Sequence, residues 1–436
     1  MGLIHKGDDF MQFDLLHPSD QILMMMDRIY EYGMTTTSGG NLSVLDENGD
    51  LWITPAGIDK GELTRSDIVC VKKDGTVIGK HKPSSEYPFH KLIYARRADL
   101  RAVVHAHPPA LVAFSMVRKV PNVHLLPNDY LVCGEVGMAK YGLPGSMELG
   151  ENIAQVFEQG FNTVMLENHG VVVGGENLFE AFQRFETLDF CARLEIQATR
   201  IGHPISLAVE PAIDKRHEIK YEFLPVSYSS EEKEARREMC KLIQRSYDQR
   251  LFTSTQGTFS QRIGENSFII TPYNRDRKYL QPSDLVRIDN GRREAGKTPS
   301  RSVRFHQHIY ETQPHVNSVI IAHPPNVMAF SVTGEALDSR TIPESYILLR
   351  SIPKLPYGDL YRAPAETAAM FKPQTPIVII ENDSVIVTGQ SLLNTFDRLE
   401  VAEYSAKAII DAKSIGQIVH MEDARIQELE TAFHLN

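Results

Sequence analysis

Ala102-Val103-Val104-His105-Ala106-His107-Pro108-Pro109 is an apolar run broken by two histidines and stopped by a proline pair. Its valines and alternating pattern predict a strand from Ala102 to His107, and the prolines end it because they cannot donate to a ladder. Alternate side chains leave the same face of a strand, so His105 and His107 can converge on one point. His169 stands at the end of a second apolar segment, just before a glycine, and can bring a third imidazole to that point. Three neutral nitrogens with an open position are the donor set of a catalytic divalent metal. Histidines also pack on strands with no ion, so at this point both readings stand.

Working outward, the same stretch has an echo. Ala106-His107-Pro108-Pro109 resembles Ala322-His323-Pro324-Pro325, and the pairing extends along the chain at a shift of roughly 215 residues. Phe89-His90-Lys91-Leu92-Ile93-Tyr94 matches Phe305-His306-Gln307-His308-Ile309-Tyr310. Glu167-Asn168-His169-Gly170 matches Glu381-Asn382-Asp383-Ser384, and Trp52-Ile53-Thr54-Pro55 matches Ile269-Ile270-Thr271-Pro272. The repeating unit is a whole domain in length, which excludes an array of small repeats. The chain reads as a tandem duplication: a first domain over 1–205, a linker over 206–229 rich in proline and mixed charge, and a second domain over 230–436.

Within one unit the expected order is a helix over 19–32, strands over 41–45, 51–54 and 68–72, and a helix over 85–97. The 102–107 strand, a hairpin over 162–174 and a long helix over 177–201 follow. Runs of consecutive strands favour antiparallel pairing over a strand-helix-strand beat. The expected fold is therefore α/β, a three-layer α/β/α unit with a mostly antiparallel central sheet, present twice.

Composition narrows the function. A length of 436 residues suits two domains, and 42% hydrophobic with 23% charged residues suits folded cores. A net charge of −10 argues against nucleic acid and anionic membranes as partners. No apolar run is long enough to span a bilayer, no signal core opens the chain, and Lys6 breaks the myristoylation pattern that Gly2 invites. Cys70, Cys133, Cys191 and Cys240 form no close pair, which points to a reducing cytoplasm.

Two further segments bear on chemistry. Pro83-Ser84-Ser85-Glu86 opens a helix, where Glu86 is either a first-turn carboxylate favoured by the helix dipole or a reactive group. Gly39-Gly40-Asn41 is either a turn or a loop that approaches a phosphate.

Together with Ile-Thr-Pro-Ala-Gly, Val-His-Ala-His-Pro, Pro-Gly-Ser-Met-Glu-Leu and Glu-Asn-His-Gly, in that order from about Asp20 to Gly202, these segments resemble the class II aldolase/adducin family. That family includes fuculose- and rhamnulose-phosphate aldolases, a ribulose-phosphate 4-epimerase, a dehydratase and the catalytically silent adducin heads. The resemblance implies that His105, His107 and His169 hold one divalent ion per chain, zinc being expected, and that Glu86 is the acid/base. It implies phosphate contacts at Gly40, Asn41, Gly57, Ser84 and Ser85, with Ala56 where a hydroxyl is frequent, and a further proton-transfer group at Asp129 or Tyr130. Retro-aldol cleavage leaves an enediolate whose charge a divalent cation stabilises without a lysine nucleophile. The implied activity is a metal-dependent aldolase cleaving a ketose, expected as a ketose 1-phosphate. A pentulose 5-phosphate 4-epimerase, a dehydratase and a non-catalytic scaffold are the alternatives. A homo-oligomer, a dimer of tandem chains or higher, is also implied, with a sugar or sugar phosphate as the small-molecule partner.

The second domain keeps the framework without the site. Ser302 stands for Glu86, Ile321 for His105 and Asp383 for His169, and only His323 matches. It is expected to be inactive, with Arg301, Arg304 and Arg350 as charges able to attract an anion.

Overall fold

A computed structural model describes residues 13–207 and 219–435. Gly2, the rest of the first twelve residues and the middle of the expected linker, 208–218, lie outside the described residues.

The first unit starts with α1 (Pro18–Glu31). Pro18 takes the first helical position, so His17 becomes the cap, its ring Nδ1 accepting from Ser19 N at 3.2 Å. Four short strands follow, β1 (Asn41–Leu45), β2 (Leu51–Ile53), β3 (Val69–Val71) and β4 (Val77–Ile78), then α2 (Tyr87–Arg96) and β5 (Ala102–Ala106). The chain continues through α3 (Pro109–Met116), α4 (Pro127–Cys133), β6 (Val136–Ala139), α5 (Met147–Glu158), β7 (Thr163–Leu166), β8 (Val171–Gly175) and α6 (Leu178–Ile201). The sheet order is β4-β3-β2-β1-β5-β8-β7-β6, antiparallel at every step except β6 with β7. The helix α5 is an addition to the sequence reading. Ser146 Oγ caps it by accepting from Leu149 N at 3.1 Å, which turns the Pro-Gly-Ser-Met-Glu-Leu motif into a helix start.

Strand alternation places the site. On β5, Val103 joins a core with Phe89 and Ile93 of α2, Ile153 and Phe157 of α5, and Val164 and Val172 of the hairpin. His105, two residues on, takes the same face and stands edge-on to Phe89, with ring centroids 5.6 Å apart. Phe157 is fully buried in that core. Phe157→Ala is expected to destabilise the first unit by roughly 3–5 kcal/mol. The single tryptophan, Trp52, lies on β2, so its fluorescence in a urea titration reports this unit alone and should show the earlier transition.

The second unit repeats the plan with β9 (Glu222–Phe223), α7 (Ser230–Asp248), β10 (Thr258–Gly264), β11 (Ser267–Ile270), β12 (Val286–Asp289) and β13 (Arg292–Glu294). Then come α8 (Val303–Thr312), β14 (Ser318–Ala322), α9 (Pro325–Ser331), α10 (Pro343–Leu349), β15 (Lys354–Leu355), α11 (Asp359–Arg362) and α12 (Pro364–Ala369). It closes with β16 (Ile377–Ile380), β17 (Ser384–Gly389), α13 (Leu392–Ile415) and α14 (Asp423–Ala432). Its sheet, β15-β16-β17-β14-β10-β11-β12-β13-β9, has the first sheet's order plus one parallel edge strand. That extra strand, β9, comes from the segment read as linker. The division into compact units falls within α6: one holds the chain up to Val123 with Asp129–Ala192, the other His124–Asn128 with everything from Arg193 onward. No described helix is long and apolar enough to cross a membrane.

Candidate active site and metal centre

Three elements bring the imidazoles together. His105 is inside β5, fully buried. His107 sits one residue past the strand's end, where its N–H donates to Met34 O at 3.1 Å. His169 is in the β7–β8 turn, held by its N–H to Leu166 O at 3.2 Å and by Asn168 at a φ of +54°, a left-handed conformation that asparagine tolerates. The ring centroids form a near-equilateral triangle of 4.7, 4.9 and 4.9 Å. One nitrogen from each ring lies within 4.8 Å of the other two, the one such histidine cluster among the described residues.

Glycine makes this approach possible. A Cβ on Gly170 would lie 2.6 Å from Ala106 O and 2.8 Å from His107 Cδ2, and one on Gly40 would lie 2.9 Å from His105 O. Gly170→Ala is therefore expected to push His107 out of the triangle. A loss of roughly 10–100-fold in divalent-ion affinity should follow, comparable to other changes that disorient a ligand, and a chelator competition titration measures it.

Glu86 faces the triangle. Its Oε2 lies 3.1 Å from His105 Nε2, without the alignment of a hydrogen bond, and its Oε1 lies 3.8 Å from His169 Nε2. Asn41 Nδ2 donates to Oε2 at 2.8 Å, so Asn41 Oδ1 is left to accept from His90 Nε2. His90 Nδ1 must then be the acceptor, and Ser43 Oγ donates to it at 2.7 Å while Tyr94 OH sits 2.7 Å from the same hydroxyl. Burial drives the His90 pKa down to about 3, which keeps the ring neutral as this chain of bonds requires.

The electrostatics follow from the packing. Burial raises the Glu86 pKa, but His105, the Asn41 hydrogen bond and His169 together outweigh it and hold the carboxyl well below its usual range. Burial alone would lower His105, yet the Glu86 carboxylate and the Val171 carbonyl leave it raised. Burial, assisted by His105, presses His107 to about 3 and His169 to about 4. The last two rings are thus neutral, as ligation demands.

Orphaned atoms test whether a cation fits. Glu86 Oε1, His105 Nε2, His107 Nε2 and His169 Nδ1 are buried and lack a hydrogen-bond partner. Buried polar groups left unmade cost about 1–3 kcal/mol each, so the unpartnered Glu86 Oε1, His105 Nε2 and His107 Nε2 beside the histidine triangle call for an occupant. His105 Nδ1 donates to Val171 O at 2.9 Å, which fixes the tautomer and aims the Nε2 lone pair inward. The donor set fits a divalent cation of the zinc type.

The second unit is an internal control. Ser260, His306 and Tyr310 repeat the Ser43, His90 and Tyr94 trio, with both contacts to Ser260 Oγ at 2.6 Å. The trio is therefore a structural feature of the fold. At the Asn41 position stands Thr258, whose hydroxyl turns to Ser300 at 2.7 Å, and His306 Nε2 is buried without a hydrogen bond. The bridge to a carboxylate belongs to the first unit. Lys60 and its counterpart Arg277 likewise share a structural task. Lys60 Nζ donates to Pro55 O and Ile58 O, and Arg277 Nε to Gln256 O and Gly257 O.

Asn41 gives one amide N–H to Glu86 and its oxygen accepts from His90, so it positions Glu86. Ser84 Oγ accepts from Glu86 N at 3.3 Å, while Ser85 and Gly57 are exposed beside it in sequence and in the preceding turn. Asp129 is fully buried on α4, with Cys191 Sγ donating to its Oδ2 at 3.4 Å, so it has no surface to offer a substrate and the proton-transfer expectation for it is withdrawn. Tyr130 is half-buried on the same helix.

Residues 20–196 and 237–410 both match the family described as Class II Aldolase and Adducin N-terminal domain. An L-fuculose phosphate aldolase of Methanococcus maripaludis is 36% identical over 171 residues, 39% of this chain and 89% of that protein. A 5-deoxy-D-ribulose 1-phosphate aldolase of Bacillus thuringiensis is 33% identical over 193 residues, 42% and 87% of the two chains. A 3-oxo-tetronate 4-phosphate decarboxylase of Pectobacterium atrosepticum is 34% identical over 169 residues, 38% and 77%. Among solved structures, an L-fuculose 1-phosphate aldolase aligns with 34% identity and a TM-score of 0.40, over 44% of this chain and 90% of that one. With two matched segments in one chain, two sheets of the same order and the ordered motifs in the first, the protein belongs to the class II aldolase and adducin N-terminal domain family as a tandem pair.

Proposed function

We propose that the first domain, residues 1–205, is a metal-dependent lyase that cleaves a phosphorylated ketose, a ketose 1-phosphate, into dihydroxyacetone phosphate and an aldehyde. The observation that carries this reading is the convergence of one nitrogen each from His105, His107 and His169, all within 4.8 Å of one another, with the Glu86 carboxylate 3.1 Å from His105 Nε2 and 3.8 Å from His169 Nε2. A divalent ion bound by the three imidazoles, proposed as zinc, supplies a Lewis acid for negative charge developing on substrate oxygens. Glu86, kept ionised by its neighbours and fixed through Asn41, takes the proton from the substrate hydroxyl as the carbon–carbon bond breaks and returns it to carbon. Ser84, Ser85 and Gly57 are the proposed phosphate contacts, and Tyr130 is proposed to hydrogen-bond the hydroxyl oxygen that becomes the aldehyde, with no net proton given to it. The second domain, with Ser302, Ile321 and Asp383 in place of three of these groups, is proposed as non-catalytic.

The decarboxylase relative supports a second reading, in which the same carboxylate and ion release carbon dioxide from a phosphorylated 3-oxo acid. Incubation of the purified full chain with a panel of ketose 1-phosphates, pentulose 5-phosphates and 3-oxo acid phosphates separates them. Released aldehyde is the expected result. Carbon dioxide with no aldehyde favours the decarboxylase, and an epimerised pentulose with no fragment favours an epimerase.

A further inference from the structure

We propose that a cavity of about 430 Å³ in the second unit, framed by Asp338–Arg340, α10 and Arg350–Ile352, binds a small phosphate, free or as a monoester. Its oxygens would take the places now held on Arg340 by the Asp423 carboxylate and on Arg350 by Leu435 O and the Glu430 carboxylate.

The duplication singles out Arg350. In the first unit Gly134 follows α4 at a φ of +63°, the left-handed turn that commonly ends a helix. In the second unit the residue after α10 also has a positive φ, +54° with a ψ of −109°, but it is an arginine. Glycine adopts such a backbone freely and an L side chain does not, so the second copy holds a strained residue where its twin shows that none is needed. What the substitution adds is a guanidinium on the cavity wall. Arg340, the second guanidinium there, stands where the first sequence repeat has His124.

Both cations are engaged by the C-terminal segment, α14 and the residues after it. Arg350 Nη1 donates to Leu435 O at 2.7 Å, and its Nη2 lies 3.9 Å from Glu430 Oε1. Tyr346 OH donates to the same Glu430 oxygen at 2.7 Å, and Arg340 pairs with Asp423. Arg340 Nε is buried with no partner. Of α14 itself only Ile426 is buried, and the ion pairs that help hold the helix are worth little individually. Two guanidinium forks, a phenol and Ser351 around one cavity suit the three oxygens of a phosphate better than the single carboxylate now shared by Tyr346 and Arg350. Phosphate thus exchanges with Glu430 and Asp423, and α14 is released.

Hydrogen exchange on the full chain tests this, with inorganic phosphate and glycerol phosphate each titrated against chloride at constant ionic strength. Because the reporting peptides lie in the second unit, binding in the first does not register. The expected result is a saturable fall in exchange over 338–352 and a rise over 423–432. A response to both compounds identifies free phosphate as sufficient, and a response to the ester alone identifies a monoester. Arg350→Gly, the residue the first unit uses, should fold as well as the parent and weaken the response about 10–100-fold, the value of lost charged hydrogen bonds. Glu430→Gln, which removes the competing carboxylate, should lower the half-saturating concentration several-fold. Unchanged exchange in the parent chain with either compound, or an Arg350→Gly response equal to the parent's, overturns the proposal.

Discussion

Glu86→Gln is expected to lower kcat about 10²–10⁴-fold while the bound divalent ion is retained at its full amount, since a positioned acid/base group contributes on that scale. In free energy the loss is about 3–5 kcal/mol of transition-state stabilisation. The substitution keeps the side chain's shape and its oxygen acceptor for Asn41 Nδ2, so the Asn41–His90–Ser43 chain can stay in place. It leaves the three imidazoles and the His105 Nδ1 bond to Val171 O untouched. What disappears is the ability to take and return a proton. Metal analysis beside steady-state kinetics checks both halves. A variant within a few-fold of the parent, with the ion still bound, would show that Glu86 is only a helix-start carboxylate.

Much of this site was legible from the chain because its chemistry sits in regular elements. Period-two alternation put His105 on the same face as Val103, and that face is the one α2 and α5 cover. The duplication was readable because apolar positions persist after polar ones change, and the two sheets do share their order. Cooperation between distant polar groups was not legible. Asn41 and His90 are 49 residues apart, and no local propensity records that their side chains meet. The repeat did contain the clue, since His306 survives where Glu86 has become Ser302, marking the trio as structural and Asn41 as the part tied to the carboxylate. Asp129 entered through the family resemblance alone, and its burial against a thiol is a fact of packing that sequence does not carry.

His105→Ala should remove the ion altogether: the parent chain is expected to bind one divalent cation and the variant none. The loss should exceed the ~10–100-fold typical of groups that merely orient a ligand, because one of three nitrogens in an open site is deleted. The second unit cannot compensate, since Ile321 and Asp383 replace two of its imidazoles and no second histidine cluster occurs among the described residues. The same residue sets the pH dependence. In the metal-free protein His107 and His169 stay neutral down to about 3 and 4, while His105, raised by Glu86, is the ring that holds a proton. Below the raised His105 pKa each cation must therefore displace one proton, and log affinity should rise by about one per pH unit and level off above it. A slope approaching three would mean that all three rings are protonated together, and two ions per parent chain would mean that the second unit has kept a site. Either result would break the assignment of one working centre per chain.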